Sequence, residues 1–170
     1  MQRLILMRHA RAERSAPSGR DEDRALSPGG REDAALMGRV LADRGLRPDF
    51  ALVSTATRAR QTWDAAHEAF GDAEVEIDPQ LYNAGVSALR AAIARVEDRC
   101  ACLMVVAHNP GLPHLAIDLL TEAAAPASVL DRFQGSYPAG AAAVFEVDPA
   151  GRCAYAGFFT PRDFGGGGGE

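Results

Sequence analysis

Short apolar runs along the chain alternate with stretches in which apolar residues recur every three or four positions. That alternation predicts βαβ units and a largely parallel sheet, an α/β fold. Residues 4–7 (LILM) read as a buried strand, and Ser27-Pro28 as a helix cap and first helical residue ahead of Ala34, Met37, Val40 and Leu41. Arg44-Gly45 supplies the stop. Residues 50–53 predict a second strand, leading into a helix whose inner face carries Ala59, Thr62, Trp63, Ala66 and Phe70. A weaker strand at 75–77 precedes Leu81, Tyr82 and a helix from about Ser87, with Leu89, Ala92, Ile93 and Val96 on one face.

Residues 102–107 (CLMVVA) are apolar throughout, as expected of a central parallel strand covered on both faces. Pro110 is expected in the first turn of the next helix, with Leu112, Leu115, Ala116 and Leu119 inward. Residues 121–138 predict an apolar loop rich in alanine and proline. Segments 141–147 and 154–159, separated by a turn signal at 148–152, predict a closing antiparallel pair. One domain spanning 1–164 and a flexible Gly-rich tail, 165–170, follow.

With 170 residues, 47% of them hydrophobic, the chain can bury roughly 70% of its unfolded surface, which excludes a disordered tail or a coiled coil. A net charge of −5 speaks against nucleic-acid binding. All 18 basic residues are arginine, a compositional bias within which only a few should serve chemistry. Cys100, Cys102 and Cys153 match no zinc spacing and read as structural thiols in a reducing, cytoplasmic setting. The four apolar residues near the start make neither a signal peptide nor a membrane span, so no membrane partner is expected.

In open α/β sheets ligands bind beyond the carboxyl ends of the strands. Three polar clusters fall at such ends: Arg8-His9, residues 54–58 (STATR) and His108-Asn109-Pro110. Two histidines and two arginines can therefore converge. Guanidinium groups hold phosphate through fixed donors, and the N-terminus of the helix bearing Arg58 can add free amides. A neutral imidazole between arginines is a competent nucleophile toward phosphorus, and a second imidazole can donate to the transferring phosphoryl group.

At these residues the chain resembles the histidine phosphatase superfamily, whose signature is R-H-G after the first strand; here it reads Arg8-His9-Ala10. The likeness continues through residues 54–62 (STATRARQT) against S-x-x-x-R-A-x-x-T and through 108–112 (HNPGL). Together with residues 23–30 and 137–140 (YPAG), these motifs resemble the SixA-type branch, the phosphohistidine phosphatases, over about residues 2–148. The resemblance implies a phosphoglycerate mutase-like, three-layer αβα sandwich. It also implies that His9 is transiently phosphorylated, with Arg8, Arg58 and His108 completing the catalytic pocket. Arg24 and Asn109 are further substrate-binding candidates, and the loop from Ala10 to Arg24 is expected to fold over the pocket. No metal or cofactor is implied.

Larger members of the superfamily carry a glutamate general acid in an L-x-E segment, where this chain has Leu81-Tyr82-Asn83. Asparagine cannot protonate a leaving alkoxide, whereas a leaving imidazole, with a reference pKa near 6.5, departs readily. The missing acid agrees with phosphohistidine of a protein as the expected substrate; the first alternative is a general phosphomonoesterase on small phosphate esters, for which Glu13, Asp21 or Asp23 could serve as the acid from the loop. A silent phosphate- or phosphopeptide-binding module is the alternative from another class. His67 and His114 are assigned to surface or packing, Trp63 and Phe70 to the core, and Ser54 to capping its helix. The short chain leaves little room for covering insertions, so an open pocket is expected.

Overall fold

The computed structural model describes residues 1–167. Six strands form one sheet: β1 (Arg3–Arg8), β2 (Phe50–Ser54), β3 (Glu74–Asp78), β4 (Cys102–Ala107), β5 (Ala142–Val147) and β6 (Cys153–Phe159). Their order is β3-β2-β4-β1-β5-β6. The first four are parallel, while β5 runs antiparallel to both β1 and β6. The α/β class, the mostly parallel sheet and the closing antiparallel pair are thus as expected.

Five helices cover the sheet: α1 (Pro28–Asp43), α2 (Thr57–His67), α3 (Val86–Val96), α4 (Gly111–Glu122) and α5 (Ala127–Gly135). Period-two alternation divides the strands between two cores. Leu4, Leu6, Leu103, Val105 and Phe145 pack with Leu89 of α3, Leu115 of α4 and Phe133 of α5. Ile5, Met7, Met104, Val106 and Val144 pack on the other face with Met37 of α1 and Trp63 of α2. Each fully buried aliphatic side chain contributes about 1.5–3 kcal/mol. This makes the three layers, helix on sheet on helix.

Local signals hold where they were strong. Ser27 caps α1, its hydroxyl accepting from the Gly30 amide at 3.1 Å, with Pro28 at the first helical position. Three expectations change. The loop at 121–138 contains α5, whose Phe133 is buried against Phe158, ring centroids 4.5 Å apart. Pro110 is the residue before α4 rather than part of its first turn. Gly165–Gly167 are docked: the Gly167 amide donates to the buried Asp33 carboxylate at 2.9 Å, so the flexible tail does not begin there. The rest of that expectation, 168–170, lies outside the described residues. Among the described residues no helix is long and apolar enough to cross a membrane.

Candidate active site

β4 lies between β1 and β2, and Arg8 at the end of β1 is in register with Ala107 at the end of β4. The next residue of each strand, His9 and His108, therefore emerges beside the other, with ring centroids 5.2 Å apart. Arg58, in the first turn of α2 and only 4% exposed, donates from Nε to His9 Nε2 at 3.3 Å. Arg8 is steadied by the Tyr137 carbonyl, which accepts from its Nη1 at 3.0 Å. The four residues singled out from strand ends thus come together.

Hydrogen bonding fixes the form of His9. Its Nδ1 lies 2.7 Å from the Ala10 carbonyl, which can only accept, so Nδ1 carries the proton and Nε2 the lone pair. Burial pushes the His9 pKa down to about 3, with smaller contributions from His108, Arg58 and Arg8. Burial, then the Arg58 charge, lowers His108 to about 4. Both rings are neutral at pH 7. Burial and Arg58 also lower the Arg8 pKa from its ordinary value.

Arg8 Nε and His108 Nδ1 are buried without a hydrogen-bond partner among the described residues. Leaving a buried polar atom unpaired costs on the order of 1–3 kcal/mol, and for the Arg8 Nε–H the acceptor that would recover this cost is an anion. Asn109 Nδ2 donates to the Tyr137 carbonyl at 3.1 Å; its partnerless atom is the acceptor Oδ1, suited to a substrate donor rather than a phosphate oxygen. Among the described residues no group of three or more His, Cys, Asp or Glu side chains is arranged to hold a metal ion.

The loop after His9 is closed at its base by pairing of Ala12 with Leu26 and by the Glu13 amide on the Ala25 carbonyl at 2.8 Å. Its short helical turn, Asp21–Asp23, lies against Arg58. Arg24 binds the loop itself, donating to Asp21 Oδ1 and the Glu13 carbonyl, each at 2.9 Å. Its charge nonetheless helps to lower the His108 pKa. A cleft of about 460 Å³ opens beside His9, lined in part by Arg8, Glu13, Arg14, Arg24 and Ala139.

Asp21, expected only as one of three substitute carboxylates, and Tyr82, which no strand-end motif marks, both join the pocket. Asp21 accepts from Arg58 through its carbonyl at 2.8 Å and its carboxylate at 3.0 Å, and from the Tyr82 hydroxyl at 2.7 Å. The Tyr82 bond, with Arg58 and Arg24, holds the Asp21 carboxyl down to about 2. Tyr82 also stands edge-on to His108, centroids 5.7 Å apart. Its sequence signal is its place in the L-x-E segment, directly before Asn83.

Ser54 is a correction. The residue capping α2 is Ala56, with no side-chain cap, while Ser54 Oγ lies 2.7 Å from His108 Nε2. Thr62 accepts from the Ala10 amide at 2.9 Å and donates to the Arg58 carbonyl at 2.7 Å, tying α2 to the turn after His9. Ala10 in the glycine position fits: it is fully buried beside Leu26 and Ala34. Gly140 needs to be glycine, with φ +78° and an added Cβ 3.0 Å from Pro161; its amide holds the His9 carbonyl at 3.0 Å. His67 packs on Trp63, centroids 4.9 Å apart, and His114 is exposed.

The family profile of the histidine phosphatase superfamily (branch 1) matches residues 4–99. An uncharacterised protein of Mycobacterium tuberculosis is 37% identical over 164 residues, 92% of this chain and all of that one. A crystal structure from Agrobacterium tumefaciens, provisionally classed as the phosphohistidine phosphatase SixA, superposes with a TM-score of 0.83 at 31% identity, covering 94% of this chain and 98% of the other. A Plasmodium falciparum phosphoglycerate mutase shares the fold, with a TM-score of 0.64 at 21% identity over 92% and 89% of the two chains. Family profile, long-range identity and fold agree: the chain belongs to the histidine phosphatase superfamily, in its SixA-type branch, and is a histidine-type phosphatase.

Proposed function

We propose that the protein hydrolyses phosphohistidine side chains of another protein through a phosphorylated His9. The observation that carries the reading is His9 Nε2, which carries the lone pair and accepts from Arg58 Nε, in a pocket where Arg8 Nε and His108 Nδ1 are buried without a partner among the described residues. The substrate reacts with its phosphohistidine ring protonated on the other nitrogen: His9 Nε2 attacks phosphorus, the P–N bond breaks, and its electron pair stays on the departing ring, which leaves as neutral imidazole. Phospho-His9, still protonated on Nδ1, is then attacked by water; the P–Nε2 bond breaks with its electron pair returning to Nε2, and both water protons leave on inorganic phosphate. Arg8, Arg58 and His108 neutralise the charge spread over the equatorial oxygens, the main demand of phosphoryl transfer. Arg24 organises the loop, and Asn109 meets a donor on the substrate.

The substrate class rests on the proton inventory. The carboxyl in contact with Arg58, Asp21, is ionised, and both imidazoles are neutral. Such a pocket suits a leaving group that needs no strong acid. The decisive experiment is trapping labelled phosphate from a phosphohistidine protein, with and without a chelator, beside alkyl and aryl phosphates. Acid-labile label on His9, absent in His9→Ala and unaffected by chelator, is expected. A chain that never labels is a binding module, and faster turnover of the alkyl ester assigns it to small esters.

A further inference from the structure

Ser54 is fully buried at the end of β2, two residues before Ala56, the N-cap of α2, and its hydroxyl has two hydrogen-bonding neighbours among the described residues. The Ala56 amide donates to Oγ at 3.3 Å, and His108 Nε2 lies 2.7 Å away. A hydroxyl has one proton to give. The Ala56 N–H takes one of the two lone pairs of Oγ, and Nε2 is the only neighbour among the described residues that can accept the hydroxyl proton; were Nε2 to donate instead, that buried proton would have no acceptor. A neutral imidazole accepting at Nε2 carries its own proton on Nδ1. That is the nitrogen left buried without a partner, on a ring that faces His9.

We propose that Ser54 is a positioning residue that fixes His108 as the Nδ1–H tautomer, so that the ring meets the phosphoryl group as an uncharged hydrogen-bond donor. The inference rests on the proposed phosphoryl pocket for its purpose, but not for the tautomer itself. The opposite tautomer would turn the Nδ1 lone pair toward phosphoryl oxygens and replace an attraction with a repulsion. The depressed His108 pKa agrees, because the ring cannot escape the choice by becoming a cation at neutral pH. His9 has the same tautomer by a different device, the Ala10 carbonyl accepting from Nδ1. One ring thus shows its lone pair to phosphorus and the other its proton to oxygen.

The test is ¹⁵N NMR of the imidazoles in the resting protein at pH 7, which needs no substrate. Wild-type His108 is expected to show a protonated Nδ1 and an unprotonated Nε2; the reverse assignment overturns the proposal. In Ser54→Ala the His108 shifts should move toward a mixture of tautomers while those of His9 stay fixed, and affinity for inorganic phosphate should fall about tenfold, one misaligned hydrogen bond. Ser54→Thr, which keeps the hydroxyl, should restore the wild-type shifts. Unchanged His108 shifts and unchanged phosphate affinity in Ser54→Ala would refute it. If that variant does not fold, the wild-type assignment and Ser54→Thr still decide. A phosphohistidine substrate that fails to label His9 would defeat the proposed function yet leave the tautomer measurement standing.

Discussion

Arg58 holds Asp21 and His9 at once: two terminal nitrogens donate to the carbonyl and carboxylate of Asp21, while Nε donates to His9 Nε2. The guanidinium that should hold a phosphoryl group is thus already occupied on its outer side by a carboxylate, itself half exposed and carried on a loop. An incoming phosphate competes with Asp21 for those donors. Asp21→Asn should therefore tighten inhibition by inorganic phosphate about three- to tenfold, read as a lower inhibition constant. Weaker inhibition would mean that Asp21 instead holds Arg58 in its binding geometry.

The two neutral imidazoles predict a sign for the pH dependence. In the folded protein they bind protons only near pH 3 to 4, whereas in the unfolded chain they do so near 6.5. The unfolded state holds more protons across that window, so stability is full above about pH 6.5 and falls as the pH drops toward 4. Each buried ring should cost about 2 kcal/mol at pH 5 relative to pH 8. Asp21, with its lowered pKa, loses its contribution in the same direction at still lower pH. Denaturant melts at the two pH values check this, and His108→Asn should remove about half of the difference.

Glu13, one of the three carboxylates expected as substitute acids, lines the cleft next to His9. Glu13→Gln is expected to leave turnover of a phosphohistidine donor within about twofold and to leave the ratio of aryl to alkyl phosphate hydrolysis unchanged. A selective loss of tenfold or more on the alkyl ester, about 1.4 kcal/mol of transition-state stabilisation, would identify Glu13 as the acid.

Tyr137 separates stability from activity. Its hydroxyl donates to the Leu6 carbonyl at 2.5 Å inside the core, and burial raises its pKa, while its own carbonyl holds Arg8 and Asn109. Tyr137→Phe should cost about 1 kcal/mol in a denaturant melt and leave turnover nearly unchanged, because the functional contacts are made by its backbone.

Much of this was legible in the sequence because it is written in local patterns. Continuous apolar runs marked β1, β2 and β4 to within a residue or two, and Ser27-Pro28 marked the start of α1. α5 escaped because its single buried residue, Phe133, is apolar only for the sake of Phe158 and Tyr137, which belong to other elements. Ser54 was misread because a serine shortly before a helix has the same local signature as a cap. Its partner, His108, is 54 residues away.

By itself the sequence determined the α/β alternation and put two histidines and two arginines at strand ends, because strand faces and helix stripes depend on side chains a few positions apart. Only the tertiary structure decided what each of those groups can do. Strand order brought His108 beside His9, burial made both rings neutral, and contacts spanning 37 to 61 residues gave Arg58 its carboxylate, Asp21 its tyrosine and His108 its serine. Protonation and pairing are properties of a surrounding, and the surrounding exists only once the sheet has closed.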